Sequence, residues 1–249
     1  MNKLILAFAI ISAIGVSCTK TTTTTPTTNT SAANPQPSFG AVDGGLIAIN
    51  TLTSTTALGT TYDVELGTGV AVFGNLSAGT YVDAGTVTLN DQALGIQTNK
   101  TYVFTPGMTN PTGINLGSSI KWKVSGNSAN GVAALDFTTA KIMPKAGSVN
   151  MSSAEINTAT DFTLSTTSNV LNADSVYFQI SGGSNGKLLL KRAGGTTKSV
   201  TFTSTELKTL GTGSGSVAIC PFNFETKTVG GKTYAIVNEL ALAKVITLK

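Results

Sequence analysis

The chain has 249 residues, a net charge of +4 and 11% charged residues, against about 25% in typical globular domains. Its basic residues form no run, so nucleic acid is not an expected partner. Histidine is absent, which excludes Ser-His-Asp and Cys-His catalysis and most zinc sites, but not chemistry run by carboxylates or by Ser with Lys. We expect a protein that is not an enzyme and has no cofactor.

Residues 1–17 predict a secretory signal peptide. Lys3 supplies a basic start and residues 4–16 supply an apolar core, in the order that such signals require. A membrane-spanning helix needs about 20 apolar residues, and Thr19-Lys20 ends this run too early. The sequence Gly15-Val16-Ser17-Cys18 closes the segment.

This tetrapeptide resembles the cleavage signal of bacterial lipoproteins, in which a branched apolar residue and two small residues precede Cys. Gly15 departs from the usual Leu, as in the looser signals of Bacteroidota. The resemblance implies that Cys18 becomes the first mature residue and carries acyl chains such as palmitate. Two or more chains would hold the protein stably on a membrane. The alternative is an ordinary signal peptide cut elsewhere, with Cys18 incidental.

The residue after Cys18 favours the outer membrane. Thr19 is not the Asp that retains some lipoproteins at the inner membrane, and the first acidic residue after it is Asp43. The side of the membrane, facing the periplasm or the cell surface, stays open.

Residues 18–37 predict a disordered tether behind the lipidated Cys. The segment is mostly Thr, Ser, Asn, Ala and Pro, with no aromatic residue, so it buries too little apolar surface to offset its ordering entropy. Its prolines, Pro26, Pro35 and Pro37, favour extended backbone.

Residues 38–146 predict a first β-sandwich module. Asn90-Asp91 predicts a tight turn within it. Alternating apolar residues between Gly, Pro and Asn predict its short strands: Leu46–Ile49, Val70–Phe73, Thr80–Asp83, Thr86–Leu89, Gln92–Leu94, Thr101–Phe104, Ile120–Val124 and Ala133–Phe137.

Residues 147–249 predict a second module. Gly230-Gly231 predicts a two-residue hairpin turn, and Ser204 could cap a single helical turn that ends by Gly211. The predicted strands are Phe162–Leu164, Ser175–Ile180, Lys187–Lys191, Thr197–Thr203, Val217–Phe222, Phe224–Val229, Lys232–Val237 and Ala241–Leu248.

Many short strands with almost no helix favour an all-β protein of one or two antiparallel, Ig-like sandwiches. Residues 120–126 and 176–182 share alternating large residues followed by Ser-Gly, which is a weak sign of two related modules. This style resembles that of uncharacterised Bacteroidota lipoproteins built from Ig-like modules.

Aromatic residues on the predicted strands are candidates for ligand stacking. Trp122 lies between Lys121 and Lys123 and could stack on a glycan. The commoner role of such a Trp is a core anchor with the lysines outside. An accessory glycan-binding lipoprotein would need exposed rings among Tyr62, Tyr81, Tyr102 and Trp122.

Two further motifs point to chemistry at the surface. Asp63 and Glu65 lie two residues apart, and paired carboxylates could serve a hydrolase or bind Ca²⁺ together with nearby carbonyls. Simple solvent-exposed acids are the commoner explanation of such a pair. Asp174-Ser175-Val176 resembles the Bacteroidota O-glycosylation motif, which implies a possible glycan on Ser175.

Cys220 lies in an apolar run, and we expect it to be a small buried residue.

The function expected from the sequence is that of a lipid-anchored cell-envelope protein with a binding, adhesion or structural role. Its expected partners are the membrane through Cys18, and another envelope protein or a glycan. An accessory glycan-binding lipoprotein and a carboxylate-dependent hydrolase are the alternatives.

Overall fold

The structure is a computed structural model that describes residues 42–249 except 58, 59, 77, 118 and 152. The side chains of residues 53–57 and 60–63 also lie outside the description. The predicted signal peptide, Cys18 and the predicted tether are therefore outside the described residues.

The described chain is all-β, as predicted, with one short α-helix. The first nine strands are β1 (Gly44–Ala57), β2 (Thr60–Asn75), β3 (Thr80–Tyr81), β4 (Val87–Leu89), β5 (Gln92–Ala93), β6 (Gly95–Ile96), β7 (Tyr102–Val103), β8 (Lys121–Val124) and β9 (Leu135–Thr138). The remaining elements are β10 (Glu155–Ile156), β11 (Phe162–Ser165), β12 (Ser175–Gly182), β13 (Lys187–Gly194), β14 (Ser199–Phe202), α1 (Ser204–Lys208), β15 (Gly213–Val229) and β16 (Lys232–Leu248).

A ten-stranded sheet forms the framework. Its main order is β13-β12-β15-β16-β1-β2-β7-β6, with β10 beside β16 and β3 beside β2. Most neighbours are antiparallel, but β1 and β10 each run parallel to β16. The sheet therefore joins strands from both sides of residue 146, while the predicted division into two modules stays a prediction.

Strands β15 and β16 form a hairpin of two 17-residue strands. The turn is the predicted Gly230-Gly231, and both glycines have positive φ, 59° and 75°, as a type I′ turn requires. The register runs from Val229↔Lys232 to Gly213↔Leu248 and is interrupted at Cys220 and Pro221. Proline has no N–H to donate, which explains why the ladder of backbone hydrogen bonds is interrupted at Pro221.

Two hydrophobic cores lie on one face of the large sheet, which we call the front face. Successive side chains of a strand alternate between faces, and even-numbered residues of β16 point to the front. Tyr234 and Ile236 belong to the first core, whereas Leu240, Leu242 and Ile246 belong to the second.

Smaller layers complete both cores. The four-stranded sheet β5-β4-β8-β9 covers the first core, with Trp122 fully buried between the layers. The β11–β14 pair and α1 cover the second, through Leu164, Phe202 and Leu207. The result is a sandwich arrangement on each half of the front face.

The helix α1 begins one residue earlier than the sequence suggested. The N-cap is Thr203 rather than Ser204, because Glu206 lies three residues after Thr203 and the two form a reciprocal capping box. Leu207 is the buried residue of this helix.

A third hydrophobic cluster lies on the opposite face of the large sheet, the back face. Its buried members all come from strands of that one sheet: Ile47, Ile49, Val70, Tyr177, Ala218, Cys220, Phe222, Val237 and Ala241.

The first core depends on a close approach of two backbone segments. Gly67 in β2 lies beside Gly113; the Gly67 N–H donates to the carbonyl of Thr112 at 3.0 Å, and the Ile114 N–H donates to the carbonyl of Gly67 at 2.8 Å. A Cβ on Gly67 would overlap the carbonyl oxygen of Ile114, so only glycine fits.

We predict that Gly67→Ala lowers the free energy of unfolding by about 2 kcal/mol or more, because the backbone must move apart. Urea unfolding followed by Trp122 fluorescence measures the loss. Gly107→Ala is the matched control, since a Cβ there meets no atom within 4 Å. Equal stability of the two variants would contradict the close-approach argument.

Candidate functional sites

Trp122 and Tyr102 lie inside the first core. Trp122 is 0% exposed and pairs in register with Leu89 and Phe137. The Tyr102 hydroxyl donates to Asp83 Oδ1 at 2.9 Å and accepts from the Ala84 N–H at 2.9 Å. Both rings are therefore buried in the fold and have no face open to solvent.

The remaining aromatic candidates are less buried or undescribed. Tyr81 is half-buried, and the side chain of Tyr62 lies outside the described residues. Lys121 and Lys123 flank Trp122 on the outer side, with Nζ atoms 3.4 Å and 4.0 Å from the Asp136 carboxylate. These are solvent-exposed ion pairs of small energetic value.

The carboxylates Asp63 and Glu65 lie on β2. The register pairs them with Ser54 and Leu52 of β1. Glu65 is exposed, and the side chain of Asp63 is outside the description. In the described part of the chain, no group of three or more Cys, Asp or Glu residues is placed to hold a metal ion.

Asn90-Asp91 forms the predicted turn, with φ values of 46° and 62°. The Asn90 side chain braces a neighbouring loop: its Nδ2 donates to the carbonyls of Asn115 and Ser119, and its Oδ1 accepts from the Lys121 N–H at 2.7 Å. The turn residue therefore serves local structure.

Ser175 opens β12 on the back face and is 5% exposed. Its Oγ accepts hydrogen bonds from Arg192 Nε at 3.1 Å and from Nη2 at 2.9 Å. The neighbouring Asp174 carboxylate contacts Lys141 Nζ at 2.6 Å. In this conformation both polar residues of the glycosylation-like motif are engaged within the protein.

The sequence reading missed a polar cluster between the two cores, which we call the polar belt: Lys141, Asp174, Asn223 and Asn238. Asn223 and Asn238 are cross-strand partners in the β15–β16 hairpin, and each is 2% exposed. Asn238 Nδ2 donates to Asn223 Oδ1 at 3.0 Å. The pair lies where the first core gives way to the second.

The belt holds two chain segments against the hairpin. Asn238 Nδ2 donates to the carbonyl of Lys141 at 2.9 Å. Asn223 Nδ2 donates to the carbonyls of Ile142 and Asn172, each at 2.7 Å. The segment around Lys141 connects the two halves of the chain, so the amides fix the path of that connection.

The Lys141–Asp174 ion pair closes the belt at the surface. Partial burial of the Asp174 carboxyl opposes its ionisation, but the Lys141 ammonium and the Phe224 N–H, which donates to Oδ2 at 2.9 Å, outweigh it. The pKa of Asp174 therefore lies below its ordinary value. The only sequence signal for the belt was two isolated Asn residues inside apolar strands.

Comparison with known proteins adds no assignment. The sequence matches no protein-family model and no curated protein.

Among the described residues, no helix has the length and apolar character needed to cross a bilayer.

We predict that Asn238→Ala lowers the free energy of unfolding by about 2–3 kcal/mol, because it leaves the Asn223 Oδ1 and the Lys141 carbonyl without this donor in a buried place. Urea unfolding measures the change. Asn150→Ala is the control, since Asn150 makes an exposed 3.3 Å bond to Ser165 Oγ.

The double variant Asn223→Ala/Asn238→Ala tests whether the two amides stabilise the protein as one unit or independently of each other. Residues in one hydrogen-bond network are not additive, so the double variant should lose less stability than the two single changes together. Additive losses would show that the two amides do not act as one unit.

Proposed function

We propose that the protein is a lipid-anchored protein of the bacterial cell envelope, held at the outer membrane through Cys18. The observation that carries the proposal is the position of Cys18, directly behind the apolar residues 4–16 and directly before a threonine-rich segment. A diacylated or triacylated Cys would give long-lived membrane attachment.

The proposed role of the β-sandwich region is binding, adhesion or structural support rather than catalysis. Supporting this role, the polar groups that form defined clusters in the described chain hold its own segments together, as in the polar belt. The absence of histidine from the sequence also removes the commonest general base.

A glycan-binding role receives less support from the same residues. Stacking of an aromatic ring on a sugar needs a ring face open to solvent, but Trp122 and Tyr102 are only 0% and 2% exposed. We therefore place a protein partner of the envelope ahead of a glycan. A carboxylate-driven hydrolase rests on Asp63 and Glu65 alone.

We predict that an alkyne-labelled palmitate probe is incorporated into the wild-type protein in a bacterial host and lost in Cys18→Ala. In-gel fluorescence after click coupling measures incorporation. Cys220→Ala is the matched control: it removes the other cysteine of the chain and should keep full labelling. Undiminished labelling of Cys18→Ala would refute the anchor.

Proteinase treatment of whole cells then determines the side of the membrane. Degradation in intact cells indicates surface exposure, whereas protection until the outer membrane is permeabilised indicates a periplasm-facing protein. The treatment leaves the acyl-labelling result unaffected, so anchoring and orientation are tested separately.

A further inference from the structure

Glu239 is a carboxyl buried in the middle of the large sheet. It is 2% exposed on the back face of β16, and its in-register neighbours are Phe222 of β15 and Ile49 of β1. Its Oε1 atom is buried and has no hydrogen-bond partner among the described residues. Nothing in the proposed anchoring or binding role uses this residue.

The strand neighbours offer Glu239 no cationic partner in the described part of the chain. From β15, the Cys220 thiol hydrogen-bonds with the carboxyl. On β12, burial and the charge of an ionised Glu239 raise the pKa of the Tyr177 phenol. On β13, the guanidinium of Arg192 donates to Ser175 Oγ at 2.9 Å and lies 6.0 Å from the Phe222 ring centroid.

The strands on the other side of β16 contribute only neutral groups at this level of the sheet. Ile49 of β1 is apolar, and Thr68 of β2 donates its hydroxyl to the Phe104 carbonyl at 2.7 Å. Burying an ionised carboxylate among such groups is costly, and a buried acid avoids the cost by staying protonated.

We propose that Glu239 is a pH-sensitive switch of the large sheet: its protonated carboxyl belongs to the packed back face, and its ionisation loosens that face around Cys220. The position of the group, its unpartnered oxygen and the neutral neighbours carry the proposal. Burial also raises the pKa of Glu239 to about 7, and the Cys220 hydrogen bond opposes the rise.

The direction of the pH effect follows from this raised pKa. Below the ordinary pKa of 4.5, the carboxyl is protonated in both the folded and the unfolded state, and the free energy of unfolding has its full value. Between pH 4.5 and about 7 the carboxyl ionises only in the unfolded state, so the free energy of unfolding falls as pH rises. Above about pH 7 it ionises in both states, and the free energy of unfolding falls no further through this group.

Urea unfolding between pH 5 and 8 tests the switch in the full chain. The unfolding equilibrium constant of the wild type should rise roughly 50- to 100-fold over this range. The carboxyls of Asp43, Asp83, Asp174 and Glu206 have lowered pKa values and remain ionised. With no histidine in the chain, Glu239 is the expected titrating carboxyl.

Glu239→Gln keeps the side-chain shape and removes the ionisation, so its unfolding constant should change by less than about 5-fold over the same range. Glu65→Gln is the matched control, because Glu65 is an exposed acid on the neighbouring strand pair, and it should follow the wild type. Parallel pH profiles of the wild type and Glu239→Gln would overturn the proposal.

The reactivity of Cys220 reports on the opening of the back face itself. In a Cys18→Ala background Cys220 is the only thiol, and it is fully buried. The readout is the ratio of its reaction rates with a disulfide reagent in the Glu239 protein and in the Glu239→Gln protein. An ionised Glu239 raises the pKa of the Cys220 thiol and would by itself lower this ratio, so a rise in the ratio reports opening of the back face. That ratio should rise at least 10-fold from pH 5 to 8; a constant ratio would show that the face does not open.

Carbon-13 NMR of the wild type keeps the test valid if Glu239→Gln does not fold. With glutamate side chains labelled, the Glu239 carboxyl resonance should titrate with a midpoint of 6 to 7.5 while the protein stays folded. A midpoint of 4 to 5 would overturn the proposal without any variant.

Discussion

The structure depends on one hairpin whose strands are long enough to serve two cores. Strands β15 and β16 each have 17 residues, or about 55 Å of extended chain. Tyr234 and Ile236 at one end of β16 pack in the first core, and Leu240, Leu242, Ile246 and Leu248 pack in the second. Because β16 supplies buried side chains to both cores, a change in hairpin register would move apolar side chains out of both at once.

The polar belt explains how one continuous sheet face carries two separate hydrophobic clusters. Asn223 and Asn238 interrupt the apolar row at the same level of both strands, and their amides bind the carbonyls of Lys141, Ile142 and Asn172. Replacing them with apolar residues would merge the cores but leave those carbonyls without these donors. Buried amides of this kind favour a single arrangement of the chain.

The two faces of the large sheet differ in how they are built. The front face packs against smaller sheets and a helix, whereas the clustered back-face residues belong to the large sheet itself. Glu239 is an acidic residue within that apolar cluster, and no described neighbour forms an ion pair with it. The same hairpin therefore combines a stable front with a back whose packing depends on one proton.

Local sequence signals determined much of the fold. Asn90-Asp91 and Gly230-Gly231 predicted their turns because few residues other than Gly and Asn adopt positive φ readily, and alternation around Trp122 and Val176 predicted strands and their buried sides. The same signals divided β15 and β16 into four short strands, since Pro221, Asn223 and Asn238 look like breaks when no partner is known. The continuity became visible only from the strands that pair with them.

The all-β class, the hairpin turns and the proposal for Cys18 follow from local sequence, because each rests on neighbouring residues. The three-dimensional fold was needed to show that Ser175 lies inside, that two asparagines bind a distant connection, and that Glu239 has no cationic partner among the described residues. These properties depend on residues far apart in the chain: Asn238 bonds to Lys141 across 97 positions. Periodicity and turn chemistry describe a strand's faces, but not what each face meets.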